Sequence, residues 1–213
     1  STMNSAKLVN TRVNRGRAIW NDVPQELTHP ILGFVFKKGS RLCLEHPAPP
    51  LLRINACKLL EIPMIVSEQN PESLGKTVSQ FDISTAKGPF AKTQFSMYTP
   101  EIRKELFSIC GGQKPDSVIL IGLETHVCIE NTAIDLRQDG FEVHTVADCC
   151  TSRSQEDRVL ALERMRGMGC HITTSENVIF KLVGDAKHKE FKNILNLVRT
   201  PMLNTGLMPI SKM

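Results

Sequence analysis

Seven cysteines supply most of the reactive groups in this chain of 213 residues: Cys43, Cys57, Cys110, Cys128, Cys149, Cys150 and Cys170. Their number is odd, their spacing is irregular and no Cys-x-x-Cys occurs, so neither a zinc ribbon nor a redox pair is expected. Most read as small buried residues of a protein kept in a reducing compartment. Cys128 differs by position. It follows the apolar run SVILIG (Ser117 to Gly122) and lies near the start of a helical pattern from Thr125 to Gln138. A helix N-terminus presents unpaired N–H groups and partial positive charge. Both favour the thiolate, the nucleophilic form of cysteine. An unperturbed cysteine, with a pKa of ~8.5, is only a few per cent ionised at neutral pH. Lowering that value by about two units is worth about 2.7 kcal/mol and makes the thiolate dominant. The same N–H groups, from Cys128 and from around Glu124, suit a developing oxyanion.

Other polar groups cluster near this position. His126 could line a substrate pocket or hydrogen-bond within its own loop. Glu124 could contribute its backbone to the oxyanion site while its side chain faces a subunit partner. Arg153, in Ser152-Arg153-Ser154, could hold a substrate carboxylate bidentately, or these residues could only cap the helix that follows. Lys92, in Lys92-Thr-Gln-Phe-Ser96, is by itself an ordinary candidate for the surface. The adjacent Cys149 and Cys150 cannot easily bridge to each other and read as packing. Gly140 and Gly169 read as helix ends, since no glycine-rich phosphate fingerprint surrounds them.

Those residues need a scaffold, and the chain provides one from Ile62 onward. Pro63 to Glu68 (PMIVSE), Ser117 to Gly122 and Glu142 to Val146 read as buried strands. Thr99-Pro100-Glu101 opens a helix with a cap, a proline at the first position and an acid at the positive end of the dipole; it runs to about Ile109. Thr125 to Gln138 is a helix ended by Gly140. Ser154 to Asp157 resembles a capping box for a helix reaching about Met168. His171 to Thr173 is a short strand, Ser175 starts another helix, and Phe191 to Val198 forms the last. Strands alternating with helices at this spacing predict a single α/β domain built on a doubly wound parallel sheet with helices on both faces. Before Ile62 the pattern weakens: Arg17 to Asn21 is a poor strand, Pro30 to Phe36 is apolar, Leu44 to Pro50 reads as a loop because of its prolines, and Leu51 to Leu60 returns to helical spacing. The expected layout is an N-terminal segment over 1–16, a domain over 17–200 and a tail over 201–213.

The formal charge is only +4, from 26 basic and 22 acidic residues scattered along the chain. No run of one sign argues for nucleic acid or for a membrane surface. No apolar run approaches the ~20 residues that span a bilayer, and residues 1–16 lack the apolar stretch of a signal peptide. The ending Ser211-Lys212-Met213 resembles the Ser-Lys-Leu peroxisomal address. A cytoplasmic or peroxisomal protein is expected.

Three segments together carry a resemblance: Lys92 to Ser96 (KTQFS), Gly122 to Ile129 (GLETHVCI), and Ala147-Asp148 through Thr151-Ser-Arg-Ser154. The chain resembles the isochorismatase-like cysteine hydrolases, above all the animal isochorismatase domain-containing proteins. The resemblance implies a doubly wound parallel sheet and an Asp, Lys and Cys triad, with Cys128 as nucleophile and Lys92 as the cation beside it. It also implies a cis peptide at Leu123–Glu124. The family's aspartate ends the first strand, and the best match here is Asp22, in Asp22-Val-Pro-Gln-Glu26-Leu27. Cys128 would then attack the carbonyl carbon of a small amide-like substrate, Asp22 would take the thiol proton and pass it to the leaving amine, and water would release the acid from the thioester. Many nicotinamidases of this family bind a metal after the second strand, but here Ser67 to Gly75 (SEQNPESLG) contains no histidine. No catalytic metal and no cofactor is therefore expected. A catalytically inactive binding or scaffold protein on the same fold is the alternative. Relatives assemble as homodimers or higher homo-oligomers, and the same is expected here by resemblance.

Overall fold

The computed structural model describes residues 31–36, 48–79 and 81–199, with side chains from residue 54 onward. Asp22, Cys43 and the Ser211-Lys212-Met213 ending lie outside the described residues. Six strands, β1 (Ile31–Phe36), β2 (Met64–Gln69), β3 (Lys87–Lys92), β4 (Ser117–Leu123), β5 (Glu142–Thr151) and β6 (His171–Thr173), form one sheet in the order β3-β2-β1-β4-β5-β6. Every pairing is parallel. The order reverses between β1 and β4, and in such sheets the crevice beyond the carboxyl ends of the strands at that reversal is the usual place for a ligand.

Both faces of the sheet are covered because its central strands are apolar on both sides. Along β4, Val118 and Leu120 join one core cluster while Ile119 and Ile121 join the other. The first cluster is closed by α3 (Pro100–Ser108), α4 (Glu130–Gln138) and α5 (Gln155–Gly167). The second is closed by α1 (Ala48–Leu59) and α6 (Ser175–Val183), with α7 (Phe191–Val198) packing outside them. A single-turn helix, α2 (Pro71–Leu74), follows β2. Cys149 and Cys150 fall in opposite clusters, because successive strand residues point to opposite faces. That is why the pair packs rather than bridges, and burial pushes the Cys150 thiol up to about 12.

Most sequence expectations hold, and the departures have physical causes. The Thr99 side chain accepts from the Ile102 N–H and Ser154 from the Asp157 N–H, as cap residues should. Gly140 ends α4 with φ 75°, a left-handed position that suits glycine. The region from Leu44 to Pro50 is not all loop. Helix α1 begins at Ala48, with Pro49 and Pro50 in its first turn, where a missing N–H costs no hydrogen bond. Strand β5 runs on to Thr151, beyond the expected Val146, because a register shift against β4 between Leu120 and Gly122 absorbs extra residues. Strand β3 was not legible as a strand at all: its sequence, KGPFAK, holds glycine, proline and two lysines, and only its pairing with β2 makes it one. Among the described residues no helix is long and apolar enough to cross a membrane.

A polar hub ties α3 to the end of α4. The Tyr98 hydroxyl donates to Asp139 Oδ2, Arg103 Nε donates to the same oxygen at 3.1 Å, and Lys114 Nζ donates to the carbonyls of Asp139 and Gly140 at 2.8 and 2.9 Å. Tyr98 also stands edge-on to the buried Phe141 ring. Burial, and then the hydrogen bond to Asp139, push the Tyr98 hydroxyl up to about 12. A tyrosine whose folded pKa lies above its unfolded value of ~10 stabilises the fold below that value and ceases to do so as pH rises through the folded pKa. Tyr98 is the only tyrosine in the chain, so tyrosinate absorbance reports it alone. In the folded protein it is expected to titrate near 12, and Asp139→Asn is expected to move it back toward the ordinary value. A wild-type titration at the ordinary tyrosine value would show the hub is not formed.

Candidate active site

The site starts where β4 ends. After Leu123 the chain turns through Glu124 in a left-handed conformation (φ 57°, ψ 67°) and enters a wide turn over Thr125–Ile129. The Ile129 N–H reaches back to the Glu124 carbonyl at 3.4 Å, an i to i−5 bond. This is a π-type turn, a geometry often found at functional sites, where the sequence predicts an ordinary first turn of α-helix. The expected cis peptide at Leu123–Glu124 is not present; among the described residues the one cis bond is Gly88–Pro89. Positive φ at Glu124 makes the reversal instead, at a cost of about 1–2 kcal/mol for a non-glycine residue.

Cys128 lies within this turn, 6% exposed, on the face of the sheet that carries the first core cluster. Its carbonyl accepts from Thr132 Oγ1 at 2.6 Å, and the same hydroxyl accepts from the Met97 N–H at 2.9 Å. One threonine therefore fixes the cysteine's backbone against the segment leading into α3.

Lys92 ends β3 and is 5% exposed, so it is not the surface lysine its type alone suggests. Its ammonium donates to Gln69 Oε1 at 2.6 Å and to the carbonyls of Gln94 and Phe95, each at 2.9 Å. An ammonium has three donors, and all three are used. Gln69 stands opposite Lys92 in the β2–β3 register and also donates to the Thr93 carbonyl at 2.6 Å. Burial pulls the Lys92 pKa down, and the charge of Cys128 pulls it back up. That coupling is reciprocal: a cation that a thiolate stabilises also stabilises the thiolate. Lys92 is thus a buried charge electrostatically coupled to Cys128, with its own protons committed to Gln69, Gln94 and Phe95.

His126 Nδ1 lies 3.0 Å from Ser152 Oγ, with Glu124 Oε2 at 3.7 Å and Asp157 Oδ2 at 4.0 Å from the ring. It joins the end of β5 to the start of α5, on the same carboxyl edge as Cys128. Arg153 is exposed on that edge. Glu130, close behind Cys128 in the sequence, is buried and held bidentately by Arg164 at 2.6 and 2.7 Å. Glu68 is also buried, but it alternates with Gln69, points to the other face and accepts from the Thr77 N–H at 2.6 Å.

The triad's third member was assigned to Asp22, at the end of a first strand. The strand that lies between β2 and β4 is Ile31–Phe36, which follows Asp22 in the sequence. Neither that strand nor the Lys-Lys-Gly-Ser after it contains an acid. Sequence reasoning missed Gln69, Thr132 and the pairing of Ser152 with His126, although it named Ser152 on the carboxyl edge. Gln69 had one usable signal, a polar residue closing an otherwise apolar strand; the other two depend on packing between elements.

With that geometry in view, three comparisons bear on the chain. The sequence profile described as the isochorismatase domain matches residues 52–177. Isochorismatase domain-containing protein 2 of Xenopus laevis is 46% identical over 159 residues, which is 74% of this chain and 75% of the relative. Isochorismatase domain-containing protein 1 of Danio rerio is 48% identical over 155 residues, 73% of this chain but only 54% of the relative. A solved structure, the MAR1 ribonuclease of Caenorhabditis elegans, superposes with a TM-score of 0.76 at 36% identity, covering 88% of this chain and 98% of its own.

Replacing Lys92 by methionine removes the charge while keeping the length. Alkylation of Cys128 by iodoacetamide near neutral pH is expected to slow by about tenfold, equivalent to about one pKa unit. Gln69→Ala should slow it less, by loosening the lysine. Peptide mapping with Cys57 and Cys170 as internal references measures both. Equal rates in wild type and Lys92→Met would show that the ammonium does not act on the sulfur.

Proposed function

The chain belongs to the isochorismatase family, and from that premise we propose that it is a cysteine-dependent hydrolase of a small amide-like substrate. The observation that carries this reading is the buried Lys92 ammonium, electrostatically coupled to Cys128 at the carboxyl edge of a doubly wound sheet. Three neutral acceptors satisfy its hydrogen bonds but leave its charge unbalanced, and a thiolate beside it would offset that charge.

In the proposed reaction the Cys128 thiolate attacks the substrate carbonyl carbon. The carbonyl oxygen becomes an oxyanion, received by N–H groups of the Thr125–Ile129 turn. The tetrahedral species collapses, the C–N bond breaks, and the leaving amine takes the proton that the thiol gave up. Water then attacks the thioester, releasing the carboxylic acid and restoring the thiol. Lys92 does not shuttle protons in this scheme, because its three N–H groups are engaged; it holds charge. The proton acceptor implied by the resemblance is Asp22, which would have to reach the site from a segment preceding β1. His126 and Arg153, on the same edge, are the groups proposed to meet the substrate's polar end. A symmetric homo-oligomer is the assembly proposed with this reading.

Ammonia release from a panel of small amides and ureides tests it. Turnover is expected, and Cys128→Ala is expected to abolish it by about a thousandfold or more. Asp22→Asn is expected to lower kcat and remove the acid limb of the pH profile. A second arm presents single-stranded RNA, because the Caenorhabditis elegans protein is named a ribonuclease. RNA cleavage that survives Cys128→Ala, or silence in both arms with an unreactive Cys128, would overturn the cysteine-hydrolase reading; silence would favour a binding protein.

A further inference from the structure

The opposite end of the sheet carries a second cluster of chemistry-bearing side chains. Glu142 and His144 are two residues apart on β5 and therefore point to the same face. Strand β6 pairs in parallel with β5, and its His171 stands directly opposite His144. This places one carboxylate and two imidazoles side by side, on the face that alternates with Thr145. Their ligand-capable atoms all lie within 4.8 Å of one another. His144 Nε2 is 4.0 Å from Glu142 Oε2, and the two imidazole rings stack with centroids 4.6 Å apart and planes 19° from parallel. His144 is buried; Glu142 and His171 are partly exposed. His144 and His171 line a cavity of about 770 Å³ together with the rest of the short edge strand β6 and with Asn177 and Lys181 of α6.

We propose that Glu142, His144 and His171 form a binding site for one divalent cation of the zinc class, with a coordination position open to that cavity. Two imidazole nitrogens and a carboxylate make the donor set of His₂Glu zinc sites, in which three protein ligands leave the fourth position free. Borderline cations such as Zn²⁺, Co²⁺ and Ni²⁺ suit that mixture, whereas Ca²⁺ and Mg²⁺ prefer oxygen alone. Bonds of about 2.0–2.1 Å draw tetrahedral donors to roughly 3.4 Å from one another. The remaining approach is a rotation of the two partly exposed side chains, with the His171 ring leaving the stack so that its lone pair converges with that of His144. The Lys181 ammonium opposes a cation, and the Glu142 carboxylate offsets it. The site lies on the sheet face away from Cys128, which belongs to the first core cluster. It neither uses nor requires the proposed hydrolase chemistry.

Cobalt titration of the chelator-treated full chain at neutral pH tests the proposal. One equivalent is expected to bind with visible ligand-field bands and without the near-ultraviolet sulfur-to-cobalt band that cysteine ligation adds. His171→Asn is expected to weaken binding by about a hundredfold and Glu142→Gln by about tenfold, both at partly exposed positions that leave the core intact. His188→Asn, outside the cluster, should change nothing. Zinc should raise the melting temperature of the wild type and not of His171→Asn. Absence of saturable binding, a sulfur charge-transfer band, or equal affinity in wild type and His171→Asn would overturn the proposal.

Discussion

A buried ammonium is the constraint on which the candidate site depends. Desolvating a charge without partners is prohibitive, so Lys92 can exist at 5% exposure only because three acceptors surround it. One acceptor comes from β2 and two from the turn after β3. The need to satisfy this group therefore fixes the β2–β3 register at Gln69 and folds the Gln94–Phe95 carbonyls inward. It also determines what the lysine can do. With its protons committed, its remaining influence is its field, and the sulfur of Cys128 is the group coupled to that field.

The sulfur is held in a comparably determined way. Strand β4 fills both core clusters at once, so a shift of its register would disrupt the packing on both faces of the sheet. The wide turn after Glu124 then brings Cys128 onto the face shared with Ile65 and Met97, and Thr132 bonds its carbonyl to the segment entering α3. The Tyr98–Asp139 hub fastens α3 to the far end of α4. A chain of packed and hydrogen-bonded groups thus runs from the Cys128 turn to the far end of α4 and fixes the position of the cysteine's backbone.

How much of this could be read in the sequence depended on how local each cause was. β4 declared itself through a continuous run of β-branched and aliphatic residues, and the Thr99 and Ser154 caps through residue types that act on their own helix. The last helix, Phe191–Val198, followed from spacing alone. Strand β3 was hidden because glycine, proline and lysine argue against a strand until a partner is present. Pro49 and Pro50 suggested a loop because their tolerance in a first turn depends on where the helix starts, a boundary spacing does not reveal. The π-type turn at Thr125–Ile129 was read as ordinary helix, since both share the same apolar positions.

The sequence by itself determined the α/β class, the strands β2, β4 and β5, and the placing of Cys128 just beyond the end of β4, because alternation, caps and apolar runs are properties of neighbouring residues. Only the tertiary structure decided that Lys92 is buried, that Gln69 holds it, and that His144 meets His171. Each of those facts is a register between strands distant in the chain. A register is set by how two faces of a sheet fill their cores together, which no single segment encodes.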